Sequence, residues 1–177
     1  MRFLLDTCII SFALRQRHGV DAVLQRHDPA HLLLSSVVQS EGRTGAYRSD
    51  RPQDWIRRWD LLTAGWRALP FDHAAAEHYG RIRAHLERAG AMIGHRDCQI
   101  AATALAWAEQ QRTAVTVITD NVDEFRCVPG LRVDDLIAAV WGPGDGVAGP
   151  AEVTEGFARR ARELGARLVE GVEVTAV

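Results

Sequence analysis

Arg2-Phe3-Leu4-Leu5-Asp6-Thr7 decides the fold: an apolar run the length of one buried strand, closed by an acid where the strand would end. An ionised carboxylate in that position is costly, because desolvating it needs a compensating partner. The arrangement recurs along the chain. Glu41 follows the Leu- and Val-rich residues 32–38, Asp97 closes Ile93-Gly94-His95-Arg96-Asp97, and Asp120-Asn121 follow the β-branched residues 115–119. Several carboxylates converging on one spot call for a cation, and oxygen ligands favour a hard divalent ion, Mg²⁺ or Mn²⁺. Such an ion among carboxylates is an apparatus for cutting a phosphodiester with activated water.

Between these strands the apolar spacing turns helical. Residues 7–14 read as a helix start, residues 20–27 carry Val20, Val23 and Leu24 at helical spacing, and Asp28-Pro29 breaks that helix. Residues 31–38 read as the second strand, with a helix opening at Ser40-Glu41 that Gly42 and Gly45 weaken. Trp55, Ile56, Trp59 and Leu62 form one apolar face of a helix over residues 51–65, and core packing is the default reading of such aromatics. Residues 69–72 read as a short strand and turn, and Asp72 caps a helix over residues 74–89, which excludes it from the site. Gly90 ends that helix, residues 98–108 form the most apolar one, residues 120–123 read as a loop, and a last strand falls near residues 131–133. Strands alternating with helices imply an α/β fold with a parallel sheet covered on both faces. Ligand sites in such sheets lie at the carboxyl ends of the strands, where Asp6, the segment before Glu41, and Asp120-Asn121 all fall. Asp97, at a helix N-terminus, points into the same crevice.

At 177 residues the chain suits one nuclease-sized domain, residues 1–141, followed by a Gly/Pro linker over 142–150 and an appended tail over 151–177 that alternates helix-like and strand-like patterns. No stretch has the length of a membrane span, and an acid at position 6 interrupts any signal-peptide pattern. The three cysteines, Cys8, Cys98 and Cys127, are odd in number and lack metal-ligand spacing, which together with the N-terminus sets the expectation of a cytoplasmic protein. A net charge of −2 argues against a strongly basic nucleic-acid binder, yet all 21 basic residues are arginine. The first 142 residues hold 17 arginines against 17 acids, so residues 143–177, with 4 and 6, supply the whole imbalance. If four of those acids serve a metal, the remaining surface is mildly basic, and arginine suits bidentate phosphate contact.

In order along the chain, Leu4-Leu5-Asp6-Thr7, then Ser36-Val37-Val38-Gln39-Ser40-Glu41 with Gly45, then Pro70-Phe71-Asp72, Tyr79-Gly80-Arg81-Ile82-Arg83, Ile93-Gly94 with Asp97 and Ile100-Ala101-Ala102, and finally Thr119-Asp120-Asn121 with Glu124-Phe125 and Val128-Pro129-Gly130-Leu131 resemble the PIN-domain ribonucleases, in particular VapC-type toxins of toxin–antitoxin pairs. The resemblance runs over residues 2–135. It implies a Rossmann-like α/β/α sandwich and an Mg²⁺-dependent endoribonuclease, with Mn²⁺ able to substitute. It further implies an RNA substrate (transfer RNA among the candidates), a VapB-like antitoxin partner and a homodimer. Carried over residue by residue, Asp6, Glu41 and Asp97 are the metal-binding acids, with Asp120 or Asn121 completing the set and Glu124 a weaker candidate. Two departures stand out. Cys8 occupies a position where many relatives have Asn, removing a hydrogen bond that would orient Asp6, and Gly42 replaces a common Leu, loosening the helix that presents Glu41. Neither deletes a ligand. The stretch from Ala151-Glu152-Val153 to Leu164-Gly165-Ala166-Arg167 resembles a fragment of flavin-dependent amino-acid oxidases and reads as a fusion remnant without flavin chemistry.

The expected chemistry has Asp6 and Asp97 on the metal directly, Glu41 taking the proton of the attacking water, and Arg43, Arg48 and Arg96 flanking the acids to grip substrate phosphates. Three rivals are weaker. Gly144-Asp145-Gly146-Val147-Ala148-Gly149 satisfies the dinucleotide fingerprint, but no strand precedes it and Pro150 follows where a helix should open. A binding module that keeps the fold with an impaired site would leave the acids as caps and surface pairs. A histidine nuclease built on His95 lacks a second histidine placed to act with it.

Overall fold

The computed structural model describes residues 1–135; the linker, the tail, the glycine fingerprint at 144–149 and the oxidase-like stretch lie outside the described residues. Five strands form one all-parallel sheet in the order β3-β2-β1-β4-β5: β1 Arg2–Leu5, β2 Leu32–Ser35, β3 Arg67–Leu69, β4 Val115–Ile118 and β5 Arg132–Asp134. β1 is central, pairing Leu4 with Leu33 on one side and with Val117 on the other. Its side chains are buried on both faces from Leu4 onward, which is why its sequence is a continuous apolar run rather than an alternating one. The helices are α1 Thr7–Leu14, α2 Val20–Arg26, α3 Ser36–Tyr47, α4 Pro52–Thr63, α5 His73–Ala89, α6 His95–Gln111 and α7 Val122–Arg126. They flank the sheet, as the α/β expectation requires, and α6, with Ile100, Ala101, Ala102 and Ala104 buried, packs against both α5 and β4.

Four of the boundaries that differ from the sequence reading bear on the site or the sheet. The helix carrying Glu41 begins at Ser36, not Ser40: Ser35 Oγ accepts a hydrogen bond from the Val38 N–H at 3.1 Å, so Val37 and Val38 form a first helical turn despite their strand propensity. Strand β3 starts two residues earlier, at Arg67, in register with Leu33. Helix α6 opens at His95, which puts Asp97 inside its first turn. The loop read over residues 120–123 gives way at Val122 to the short helix α7. Asp72 does cap α5, accepting from the Ala75 N–H at 2.9 Å, and this bond holds its carboxyl below the usual carboxylate range.

Ser35 is fully buried where β2 passes directly into α3, so its hydroxyl is the N-cap of the helix that presents Glu41. Ser35→Ala is expected to lower stability by about 1 kcal/mol, read as a shifted urea midpoint at unchanged slope.

Candidate active site

Asp6 sits at the carboxyl end of β1, anchored by its own N–H on the Ile118 carbonyl at 2.9 Å. Only 7 % exposed, its carboxylate is held by three donors: the Thr7 N–H at 2.6 Å on Oδ1, and the Thr119 hydroxyl at 2.7 Å and the Cys8 thiol at 3.4 Å on Oδ2. Thr119 joins β1 to the end of β4, and its oxygen also accepts from the Asn121 N–H at 3.0 Å. The fixed orientation of Asp6 therefore comes from two adjacent strand ends.

Cys8 does not leave Asp6 unheld, contrary to the expectation drawn from the missing asparagine. Its thiol donates to Asp6 while its sulfur accepts from the Asp120 N–H at 3.3 Å. Burial and the neighbouring Asp6 charge push this thiol up to about 11, so it stays protonated and able to donate. Gly42 likewise has a packing reason. A Cβ there would stand 2.3 Å from the ring of Trp59, which α4 buries against α3.

Glu41, half-buried in α3, is fixed from both sides: Oε2 accepts from the Thr7 hydroxyl at 2.5 Å and Oε1 pairs with Arg96 Nη1 at 2.9 Å. Asp97 lies half-buried in the first turn of α6. Its carboxyl is pushed up to about 6, first by desolvation and then by the charges of Asp6, Glu124 and Glu41, with a hydrogen bond to Glu124 adding to the shift. Four acids from β1, α3, α6 and α7 thus share one electrostatic field. Among the described residues no three of them reach the spacing of a closed ligand cage. All four donors are carboxylates, the ligand type a hard divalent ion takes. The donor chemistry fits such an ion.

The other expected residues lie at varying distance from this field. Asp120 and Asn121 are exposed, and their backbone N–H groups, to Cys8 and Thr119, are what tie them to the site. The acid from this segment that acts on Asp97 is Glu124, one turn further on, the weaker of the candidates that the resemblance implies. Arg96 meets the acids through Glu41. Arg43 does not: it forms an ion pair with Asp60 on α4 and has its second guanidinium nitrogen buried, so it clamps α3 to α4 rather than facing a substrate. Arg48 stands exposed at the end of α3. His95 is held at 2.6 Å from the Tyr79 hydroxyl.

A parallel α/β sheet with carboxylates gathered at the carboxyl edge of its central strands defines a class of acid-centred α/β domains. The family described as PIN domain matches residues 3–131, and the chain belongs to it. The PIN fold is a nuclease fold. Among curated relatives, the tRNA(fMet)-specific endonuclease VapC of Shigella flexneri is 30 % identical over 135 residues, covering 76 % of this chain and 98 % of its own. Among solved structures, DNA-bound VapBC from Salmonella typhimurium aligns with a TM-score of 0.64 at 29 % identity, and VapBC-1 from nontypeable Haemophilus influenzae aligns with the same two values. Both alignments cover 76 % of this chain and 98 % of the other.

Proposed function

We propose that this protein is a divalent-metal-dependent endoribonuclease acting as the toxin of a toxin–antitoxin pair. The observation that carries the reading is the crowding of Asp97 by the charges of Asp6, Glu124 and Glu41 in a chain of nuclease fold. Asp6 and Asp97 would hold the ion, with Glu41 and Glu124 acting through its water shell. When bound, the ion lowers the pKa of a water and neutralises charge building on the phosphoryl oxygens.

The chain's own groups do the rest. Thr7, Thr119 and Cys8 keep Asp6 from rotating as charge shifts beside it. Thr7 bridges Asp6 and Glu41, using its N–H for the first and its hydroxyl for the second, so the two acids are positioned by one residue. Glu41 accepts the proton of the attacking water, and Arg96, with most of its side chain exposed, is positioned to exchange the Glu41 contact for a substrate phosphate. Water adds to phosphorus and the bond to the 3′-oxygen breaks, leaving 5′-phosphate and 3′-hydroxyl ends. The substrate is RNA, with looped transfer RNA the first candidate because the Shigella relative is named for one. The partner is a VapB-like antitoxin, on the model of the VapBC complexes that share the fold. Cytoplasmic location and a homodimer complete the proposal; among the described residues no helix is long and apolar enough to cross a membrane.

The test is cleavage of transfer RNA by the purified protein with Mg²⁺ or Mn²⁺, followed by analysis of the ends. Products ligatable through a 5′-phosphate, and a reaction stopped by EDTA, are expected. Cyclic-phosphate ends or indifference to EDTA would refute the mechanism.

A further inference from the structure

A cavity of about 160 Å³ opens between α1, α3 and α4, immediately beside the acids. Thr7 and Glu41 form one of its walls, so it is continuous with the site rather than remote from it. Trp55 and Trp59 of α4 also line it. Its size matches one six-membered aromatic ring, since an apolar cavity of about 150 Å³ accommodates benzene.

Two features give the cavity a chemical preference. Arg58 and Arg15 stand over the Trp55 ring, at 5.0 and 5.9 Å from its centroid. Arg58 is anchored by donating to the Leu14 carbonyl, whereas the guanidinium of Arg15, which also lines the cavity, is exposed and has no hydrogen bond or ion pair among the described residues. A free guanidinium over a half-buried indole is a stacking platform with a positive rim. The second feature is Trp59. It is 5 % exposed, yet its indole N–H has no acceptor among the described residues. That N–H is shielded from solvent, so it gains a partner only if the side chains around it shift to admit one.

A flat ring bearing carbonyl acceptors, attached to a chain of negative charges that leads to the acids, is a nucleobase in a strand. We infer that this cavity is a base subsite: an unpaired, pyrimidine-sized base neighbouring the scissile phosphate packs against Trp55 beside Arg15. Trp55 is then a specificity-determining residue, because single-stranded RNA is read by splaying a base onto an aromatic side chain or a guanidinium plane. The inference rests on the ribonuclease reading for the identity of its ligand.

The experiment measures binding alone, in EDTA, so that it does not depend on turnover. A labelled single strand of about 12 nucleotides is compared by fluorescence anisotropy with copies in which one abasic site is moved along it. With the intact strand, Trp55→Ala is expected to weaken binding about tenfold and Trp55→Phe to stay within about threefold of wild type. At one position, removing the base should weaken wild-type binding by a similar factor yet leave Trp55→Ala unaffected, the signature of two changes that delete one contact. Additive losses at every position would overturn the subsite, as would unchanged binding by Trp55→Ala, which would leave the cavity to a peptide. Non-additive losses in a protein that cuts no RNA would uphold the subsite and refute the nuclease reading; cleavage without any coupling would do the reverse.

Discussion

Asp97→Asn makes the metal-free protein more stable while abolishing its proposed chemistry. The stability half follows from the carboxyl's displacement to about 6 from an ordinary value of 3.8. An acid whose pKa is raised by folding binds its proton more tightly in the native state, so stability falls as pH rises through the interval between the two values and stays reduced above it. Two units correspond to about 3 kcal/mol before screening, and for a half-exposed group about 1 kcal/mol is the realistic remainder. Asparagine carries no charge to be repelled by Asp6, Glu124 and Glu41. The variant should therefore melt about 2–4 °C above wild type at pH 7.5 in EDTA, and the difference should vanish near pH 4. Adding Mn²⁺ should raise the melting temperature of wild type, where the ion relieves the repulsion, and raise that of the variant much less. RNA cleavage should fall by about 100-fold or more, since even the outer partners of metal ligands cost 10–100-fold. A variant that melts lower than wild type in EDTA, or that still cleaves at near-normal rate, would show that the charge crowding has another origin.

That opposition between stability and charge explains which parts of the site could be seen in the sequence. Asp6 was visible because an acid closing a run as apolar as Phe3-Leu4-Leu5 conflicts with its surroundings, and local conflict is where function tends to sit. The parallel sheet was equally legible, because strands buried on both faces lose their alternation and β4, with all four residues buried, keeps only β-branched ones. The start of α3 was hidden because Ser35 and Ser36 sit inside a run whose Leu and Val speak for a strand, and a single cap hydrogen bond outweighs their propensity. Glu124 was named, but the weight it carries was not legible, for a related reason. Helix α7 has five residues, too few for a periodic signal, and what holds it is the burial of Phe125, which no local pattern reveals. Arg43 was misjudged because its position beside Glu41 in sequence says nothing about direction: residues two apart on a helix face different ways, and Arg43 is turned to α4.

Gly42 gives the sharpest case of tertiary contact overruling helix propensity. In an ordinary helix interior Gly→Ala gains about 1 kcal/mol, and α3 contains a second glycine, Gly45, where an added Cβ would meet nothing within 4 Å. At Gly42 the new methyl would lie 2.3 Å from two atoms of the Trp59 ring and 2.7 Å from a third. The ring cannot simply rotate away, because it is buried between α3 and α4, and the Arg43–Asp60 pair holds the same two helices together one residue further on. Overpacking of this kind costs about 1–3 kcal/mol, so Gly42→Ala should be net destabilising and Gly42→Leu more so, by about 3 kcal/mol, while Gly45→Ala stabilises. Trimming the partner provides the check: Gly42→Ala combined with Trp59→Leu should be less damaging than the two single losses added together, with a coupling of about 1 kcal/mol or more. Because Gly42 adjoins Glu41, Gly42→Leu should also displace that carboxylate from the Thr7 hydroxyl and Arg96, and lose cleavage in proportion to the helix shift rather than to the lost stability. Stabilisation by Gly42→Ala, or strict additivity with Trp59→Leu, would mean that this glycine relaxes the helix and does not seat it.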